Sequence, residues 1–312
     1  MWLLKAVVPR NTDLPLVAIG LCVRNSEKTI GQNIENIINL DYSKNRFQLL
    51  VVDGCSTDDT VKIIKDKLEV SDVRSIFMSD GGRGLSVARQ MVVDKCDSKY
   101  IVWVDGDNLL PSNFLKSQVQ YMEEHVKAGF CGAKIIPLGK SVVSRLQGYQ
   151  WVIIVSNWKK AGYLMGKTGI QGTICRVDAI KSVGGFDSSI EGAGEDVDLF
   201  IRMKVAGWEI CSNKETRIYH FMRDTWRSLW KESVWWGYGT HYLTSKHKPF
   251  FPPLKSRASF AILDCARLTF KSFRLTKDLG CVFMPLHYGL RRLGFLVGHI
   301  YARRHGYEPK IC

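Results

Sequence analysis

The sequence predicts an α/β protein with a mostly parallel sheet flanked by helices, followed by a helical C-terminal region. Over the first two thirds of the chain, apolar runs of strand length alternate with segments in which apolar residues recur at helical spacing. Alternation of this kind is typical of parallel strands joined by crossover helices. Beyond about residue 221 the chain becomes basic and aromatic, which indicates a second region of different character.

The first two predicted strands are VAIGLCV at 17–23 and FQLLVVDG at 47–54. Both are apolar runs that end in polar residues, as strands buried in a parallel sheet do. Isoleucines at helical spacing lie between them, and we expect Ser26 to cap that helix. We expect Ser56 or Thr57 to cap the next helix. VRSIFMS, LSVARQMVVDKC and YIVWV then supply a strand, a helix and a fourth strand.

Composition narrows the cellular setting. The N-terminal segment MWLLKAVVPRN has too short an apolar run for a signal peptide. The nine cysteines include no C-x-x-C pair, so neither a zinc site nor a redox pair is indicated. An odd number of cysteines without a signal sequence fits a reducing compartment, and we therefore expect a cytoplasmic protein.

Acidic side chains follow two of the predicted strands at the point where each strand ends. Asp53 follows the second strand, and Asp105 and Asp107, separated by Gly106, follow the fourth. Asp and Gly are common turn residues, so turn formation alone is the alternative. Since ligands of such sheets bind outside the carboxyl ends of the strands, we expect these carboxylates, with Arg24 after the first strand, to form a binding site.

Four segments in order, VAIGLCVRNSEKTI, LLVVDGCSTDDT, YIVWVDGDNLLP and GGFDSSIEGAGEDVDLFIRMKVAGWEI, resemble glycosyltransferase family 2. This family consists of inverting enzymes with the GT-A fold that use nucleotide-diphosphate sugars. The resemblance covers about residues 15–222, and it implies a GT-A catalytic domain over residues 1–222. Cys22 and Arg24 depart from the residues common in the family, so UDP and GDP both remain open as the donor nucleotide.

The resemblance also implies a divalent cation, Mn²⁺ or Mg²⁺, held by oxygen ligands, which would neutralise the charge that develops on the leaving diphosphate. Asp107 would ligate the metal, and Asp105 would reach the ribose or share the ion. His220 stands where many relatives have a histidine near the diphosphate or in the metal shell, although a packed histidine is the alternative. The full implied donor-binding set is Arg24, Glu27, Asp53, Arg83, Arg89, Asp105 and Gly106, with Asp53 on the base and an arginine on the diphosphate.

The segment GAGEDVDLFIRM implies the catalytic groups. Asp196 would act as the general base that takes the proton of an acceptor hydroxyl, and Glu195 would orient the acceptor. An aspartate normally titrates near 4 and is ionised at neutral pH, whereas capping of a helix N-terminus is the alternative role. The expected acceptor-binding residues are Gln171, Gly172 and Thr173, together with Trp226 and Trp230 of the tail.

Residues 223–312 are expected to be helical and associated with a membrane. The net charge is +14 overall, and residues 221–312 hold sixteen Lys or Arg against five Asp or Glu, with half of the 34 aromatic residues. The longest uncharged run there has 12 residues, short of the roughly 20 that span a bilayer. We therefore expect the tail to lie on the cytosolic face of an anionic membrane, with a lipid-linked glycan or glycolipid as acceptor.

Three alternatives to this interpretation remain. The tail can be a helical extension packed on the catalytic domain, with a solvated basic face. The enzyme can be a soluble glycosyltransferase with a non-lipid acceptor. The chain can also be a basic nucleic-acid-binding protein on a GT-A-like scaffold, but it shows no recognisable nucleic-acid module, and that function leaves the acidic residues unexplained, so we expect no nucleic-acid partner.

Overall fold

The computed structural model describes residues 14–160, 169–251 and 261–306, with side chains described outside 154–160 and 261–264. Within these residues an eight-stranded sheet carries helices on both faces. The strands are β1 (Val17–Val23), β2 (Phe47–Asp53), β3 (Ser75–Ser79), β4 (Tyr100–Asp105), β5 (Asn108–Leu109), β6 (Ala128–Leu138), β7 (Thr173–Arg176) and β8 (Glu209–Phe221).

The strand order is β3-β2-β1-β4-β7-β6-β8-β5. The first four strands in this order are parallel, and β6 is parallel to β8. β7 runs antiparallel to both of its neighbours, and β5 runs antiparallel to β8. The prediction of a mostly parallel sheet is therefore confirmed.

The helices are α1 (Glu27–Ile38), α2 (Thr60–Glu69), α3 (Leu85–Lys95), α4 (Phe114–Glu124), α5 (Val142–Lys160), α6 (Val177–Ser182), α7 (Glu195–Val205), α8 (Trp226–Lys246), α9 (Ala261–Thr276) and α10 (Met284–His305). The second helix begins at Thr60 with Asp59 at its N-cap position, so the prediction that Ser56 or Thr57 caps it is wrong. Asp53 explains the difference, since its carboxylate accepts from Ser56 N and holds 54–59 as a loop.

The central strands are apolar on both sides because each side of the sheet is covered. Ile19 and Leu21 belong to the core on the side of α1 and α4, whereas Ala18 belongs to the core on the side of α3. Gly20 of β1 has no room for a side chain, since a Cβ there would meet Trp103 of the neighbouring strand β4 and Val92 of α3. This packing fixes the strand ends that carry the polar residues.

The C-terminal helices pack closely on the rest of the protein. A Cβ on Gly237 of α8 would overlap the carbonyl of Phe295 in α10, and a Cβ on Gly298 of α10 would overlap the carbonyl of Val234. The two helices therefore approach backbone to backbone. No helix in the described ranges is both long enough and apolar enough to span a membrane.

Candidate active site

A cleft of about 890 Å³ opens at the carboxyl ends of β1 and β4. It adjoins a smaller pocket of about 360 Å³, and the two share Cys22, Val23, Arg24, Leu85 and Trp235 in their walls. The expectation that the strand ends form one site agrees with this geometry, because the loops after β1 and β4 and the N-terminus of α7 all line the cleft.

Asp107 lies in an ionic group with two cations from the end of β8 and the loop after it. Its Oδ2 atom is 3.4 Å from Nε2 of His220 and 3.6 Å from a guanidinium nitrogen of Arg223. Burial disfavours the charged form of Asp107, but His220 and Arg223 outweigh it, and the pKa of Asp107 lies below its usual value. Burial also lowers the pKa of His220, yet Asp107 reverses this effect and the net pKa is raised.

Two asparagines hold the Asp105–Asp107 turn in place. Asn33 of α1 donates to the carbonyl oxygens of Asp105 and Asn108, at 3.1 and 2.6 Å. Asn108 Oδ1 accepts from the backbone N–H of Asp105. Asn33 thus ties the turn to α1 and Asn108 closes the turn, so the backbone that carries the two carboxylates is held in place.

The donor set of this turn fits a hard divalent cation. Asp105 and Asp107 offer carboxylate oxygens, and His220 offers an imidazole nitrogen, all on the cleft wall. No cluster of three or more acidic, His or Cys side chains in the part of the chain described here is drawn together tightly enough to hold an ion by itself. Gln171 Nε2 lies 3.3 Å from Nδ1 of His220, so this amide helps to orient the ring.

Arg89 joins the two acidic halves of the cleft. Its guanidinium is ion-paired with Glu195 at the start of α7, and a second nitrogen lies 3.3 Å from Asp105 Oδ1. Arg89 and Glu195 are buried, with side-chain exposures of 5% and 2%. Burial opposes the charge on Arg89, but Glu195 and Asp105 raise its pKa above the usual value. Arg89 is thus a brace between β4 and α7.

Asp196 follows Glu195 in the first turn of α7 and lines the cleft. Its Oδ1 accepts from the N–H of Val197 at 2.7 Å, and its Oδ2 accepts from the N–H of Ile170 at 3.1 Å. The carboxylate is nine-tenths buried. These two N–H donors, at the N-terminus of α7 and in the facing loop, orient the carboxylate in the cleft.

The remaining predicted donor residues lie around the same edge with different partners. Glu27, Arg24 and Gly106 line the cleft, and Arg83 lines the adjoining pocket, where its Nε donates to the carbonyl of Asp80. Asp53 is buried and lines neither cavity, because its carboxylate is engaged by Ser56 N.

The predicted acceptor residues divide into those that reach the cleft and those that do not. Gln171 lines it. Gly172 packs against Ile218, with φ at +64°, and Thr173 is fully buried in β7, where its hydroxyl donates to Ile170 O. Neither Gly172 nor Thr173 therefore lines the cleft, because Gly172 packs on Ile218 of β8 and Thr173 lies in the interior strand β7.

Trp226 and Trp230 do not line the cleft either. Trp226 packs edge-on against His287 of α10, and Trp230 lies against Gly294 of the same helix. The cleft is instead lined by Trp151, Trp235 and Trp236. Trp235 comes nine residues after Trp226, about two and a half helical turns, and so lies on the opposite face of α8. The WW pair was visible in the sequence, but only the docking of α8 decides which face meets the cleft.

The loop before α7 is set by its contact with α8. A Cβ on Gly239 would overlap the carbonyl of Ala193, and Gly192 lies against Tyr238 and Gly239. Gly192 and Gly194 both have positive φ, which glycine adopts without strain. The position of Asp196 therefore depends on a helix from the tail region.

These features, an α/β sheet with carboxylates at its carboxyl edge and a buried carboxylate pair at a facing helix N-terminus, match a known class. The mannosyltransferase PcManGT from Pyrobaculum calidifontis, solved in complex with GDP-Man and Mn²⁺, superposes with a TM-score of 0.65 at 16% identity, over 98% of this chain and 92% of that one. The fold is GT-A.

The chain belongs to glycosyltransferase family 2. The profile described as Glycosyl transferase family 2 matches residues 18–176, just over half of the chain, and the profile of Glycosyl transferase family group 2 matches residues 100–302. The probable glycosyltransferase YdaM of Bacillus subtilis is 25% identical over 257 residues, which cover 78% of this chain and 60% of YdaM.

A further relative is the beta-monoglucosyldiacylglycerol synthase of a Nostoc species, 25% identical over 210 residues. The match covers 64% of this chain and 43% of the synthase. The chain thus spans less than two thirds of either relative.

Proposed function

We propose that this protein transfers a sugar, with inversion, from a UDP- or GDP-sugar to a hydroxyl group of a lipid-linked glycan or glycolipid at the cytosolic face of a membrane. The observation that carries the proposal is the convergence, in one cleft, of an Asp105–Asp107 turn and the Asp196 carboxylate, with the buried Arg89–Glu195 pair between them.

The donor would occupy the cleft along the carboxyl ends of β1 and β4. Arg24 borders both cavities, and Arg83 borders the smaller one, so both can approach anionic parts of the donor. Asp53, whose carboxylate also accepts from Ser56 N, would contact the base. Arg89 does not serve this purpose, because its guanidinium is already engaged by Glu195 and Asp105.

A divalent cation, Mn²⁺ or Mg²⁺, would be held by Asp105, Asp107 and His220. When bound it supplies charge neutralisation at the leaving diphosphate. Support comes from the oxygen-rich donor set of the turn, and from PcManGT, whose structure contains Mn²⁺. Arg223 lies 3.6 Å from Asp107, and this cation compensates the carboxylate charge from the protein itself.

Asp196 would be the general base. The acceptor oxygen would attack the anomeric carbon on the face opposite the diphosphate, the bond from that carbon to the diphosphate oxygen would break, and Asp196 would receive the hydroxyl proton. Its two N–H donors, from Val197 and Ile170, orient the carboxylate and leave further lone pairs for the acceptor. Glu195 is not free to orient the acceptor, because it is bonded to Arg89, and we assign it to the brace.

The acceptor would enter between Gln171 and the aromatic wall of Trp151, Trp235 and Trp236. Flat aromatic rings offer sugars an apolar stacking surface. A lipid-bearing acceptor is supported by the basic, aromatic C-terminal region and by the name of the Nostoc relative, a synthase of a glucosylated diacylglycerol.

The test combines donor binding with turnover. UDP- and GDP-sugars would be screened for protection against thermal unfolding, and a ligand at about a hundred times its dissociation constant should add about 2.7 kcal/mol of stability. With the donor identified, transfer to lipid-linked and soluble acceptors would be compared. Asp196→Asn should lower turnover by about 10²-fold or more while donor binding persists.

A matched control is Asp66→Asn, which changes an exposed aspartate of α2 and should leave turnover unchanged. Full transfer by Asp196→Asn, or a product that retains the donor's anomeric configuration, would contradict the assignment. Full activity in the presence of a chelator would contradict the proposed requirement for a divalent cation. Efficient transfer to a soluble acceptor alone would replace the lipid acceptor with a soluble one.

A further inference from the structure

Exposed apolar side chains are concentrated on the outer side of the last two helices. In the described parts of the chain, twelve of the twenty exposed large apolar side chains lie within 270–301. Single exposed apolar residues are ordinary, but a cluster marks an interaction site. We name this cluster the C-terminal apolar surface, formed by Phe270, Phe273, Leu275, Leu279, Val282, Phe283, Leu286, Leu293, Leu296, Val297, Ile300 and Tyr301.

Helix α10 shows that this surface is separate from the core. Leu286, Leu293, Val297 and Ile300 recur at positions i, i+7, i+11 and i+14, which places them on one stripe of a helix. Gly294 and Gly298, which are buried residues of the same helix, lie against α8. The helix therefore has a second face directed at α8, and among the described residues it is this face that packs on a partner helix, whereas the side chains of the stripe are exposed.

The loop between α9 and α10 forms the most exposed part of the surface. Residues 279–283 form a short 3-10 helix that contacts α5, α9 and α10. Leu279 is 79% exposed and Val282 is 70% exposed, although the loop itself is anchored by Asp278, whose carboxylate accepts from Arg145 Nε at 2.7 Å. Two large apolar side chains are thus held outward on a fixed loop.

The charge around the surface is of one sign. Residues 265–306 contain eight Lys or Arg and one acidic residue, Asp278, which is paired with Arg145. The cations exposed there are Arg267, Arg274, Lys277, Arg292, Arg303 and Arg304. A second copy of the same surface would bring like charges together, whereas anionic headgroups would complement them.

We propose that the C-terminal apolar surface is the part of the protein that contacts the bilayer, with its apolar side chains at the headgroup–acyl boundary and its cations on anionic headgroups. Only the part of this proposal that concerns a lipid-bearing acceptor rests on the proposed function. It narrows the predicted membrane region from residues 223–312 to α9, the 279–283 loop and the outer face of α10. Helix α8 is excluded, because it packs between α10 and the loop before α7.

The same packing places the cleft beside the membrane. Arg291 lines the cleft, while the next two residues of α10, Arg292 and Leu293, are exposed on the outer side. Trp235 reaches the cleft from α8, which contacts α10 through Gly237. An acceptor could therefore keep its lipid in the bilayer next to α10 while its sugar lies against Trp235.

The experiment measures co-flotation of the full chain with phosphatidylcholine vesicles that contain or lack phosphatidylglycerol, at low and high salt. Leu279→Ser/Val282→Ser should lower vesicle binding on the order of tenfold or more, and most clearly at high salt, because it removes inserted apolar area. Val70→Ser/Val126→Ser is the matched control, since these side chains are 87% and 72% exposed elsewhere, and it should bind as the parent protein does.

The charge contribution is tested separately by Arg267→Gln/Arg274→Gln, with Lys62→Gln/Lys95→Gln as the control pair on α2 and α3. Loss of two cations should weaken binding to anionic vesicles on the order of tenfold at low salt and should have little effect at high salt. Thermal unfolding should be unchanged in all four variants, because the substituted side chains are exposed.

Three outcomes would overturn the proposal. One is a parent protein that ignores anionic vesicles at low salt. Another is equal weakening by the Leu279/Val282 pair and the Val70/Val126 pair. The third is light scattering, without vesicles, that shows a dimer dissociated by Leu279→Ser/Val282→Ser, since a second copy would then cover the surface. Failure of the proposed function is distinct, because it would appear as absent donor protection or absent transfer while vesicle binding persists.

Discussion

Replacing Arg89 by Met tests the brace between β4 and α7. The guanidinium bridges Asp105 and Glu195 with a side-chain exposure of 5%, and Glu195 is 2% exposed. Removal of one partner from a buried ion pair leaves an uncompensated charge and costs about 3–5 kcal/mol. Met retains most of the apolar volume beside Trp103, over which Arg89 lies, so most of the loss should be electrostatic.

The pH dependence makes the test specific. Burial raises the pKa of Glu195 to about 7, against the opposing effect of Arg89, so without Arg89 the pKa should rise further. A carboxyl group with a raised folded-state pKa contributes stability below its unfolded pKa, and that contribution is lost as the pH rises through the folded pKa. The deficit of Arg89→Met should therefore grow above about pH 7, by up to about 1.4 kcal/mol per pH unit until the variant's own pKa is passed.

Urea unfolding at about pH 6 and about pH 9 measures both the loss of stability in Arg89→Met and its change with pH. A difference of 1.4 kcal/mol per pKa unit exceeds the error of the unfolding midpoint. Arg89→Met/Glu195→Gln should recover part of the loss at the higher pH, since the buried charge is gone. Arg83→Met on the neighbouring loop is the control and should cost less than about 1 kcal/mol. A deficit for Arg89→Met below 1 kcal/mol at the higher pH, or one that does not change with pH, would refute the ion-bridge account.

Two further predictions concern the contacts that position the tail. Gly239→Ala would force α8 and the Ala193 carbonyl apart and should lower turnover at least about tenfold. The control Gly289→Ala, in open space on α10, should instead stabilise the protein by roughly 0.5–1 kcal/mol. Normal turnover in Gly239→Ala would contradict the dependence of the active site on the contact between α8 and the loop before α7. Hydrogen bonding to Arg145 lowers the pKa of Asp278 to about 2, so stability from this pair is present above about pH 4 and lost as the pH falls through 2. With solvent screening, the pair contributes about 1 kcal/mol to the free energy of unfolding. If Asp278→Asn loses stability with falling pH in the same way as the parent protein, this contribution is contradicted.

The sheet was predictable where its strands are fully buried. β1, β2 and β4 are continuous apolar runs because both of their faces are covered, and the runs coincide with the observed strands to within a residue. The sequence gives a weaker signal for β8, because its 13 residues lie near an edge of the sheet and are only partly buried. The assignment of Thr173 to the acceptor pocket failed for a related reason, since nothing local shows that β7 inserts between β4 and β6.

The site was predictable where chain order alone decides position. Asp53 and the Asp105–Asp107 turn lie at one edge of the sheet because β2 and β4 both run parallel to β1 and therefore end on the same side. The bridge from Arg89 to Glu195 spans 106 residues of sequence and depends on the docking of α7. Asn33 gave a weaker signal, as a polar residue buried on the apolar face of α1, and its role became clear only with its bonds to the Asp105 turn.

The change of composition near residue 221 does not coincide with a boundary in the packing of the protein. Basic and aromatic residues accumulate on surfaces that meet water or a partner, whereas contacts decide which helix belongs to which unit. Helix α8 contacts the loop before Asp196 through Gly239 and contacts α10 through Gly237, and its end is tied to α7 by Lys246, 2.7 Å from the buried Asp198. Removal of α9 and α10 would uncover the face of α8 that holds this arrangement, so such a truncation should lose activity together with membrane binding. Point substitutions on the outer side of α9 and α10 avoid this, because those side chains touch none of the contacts that place Asp196.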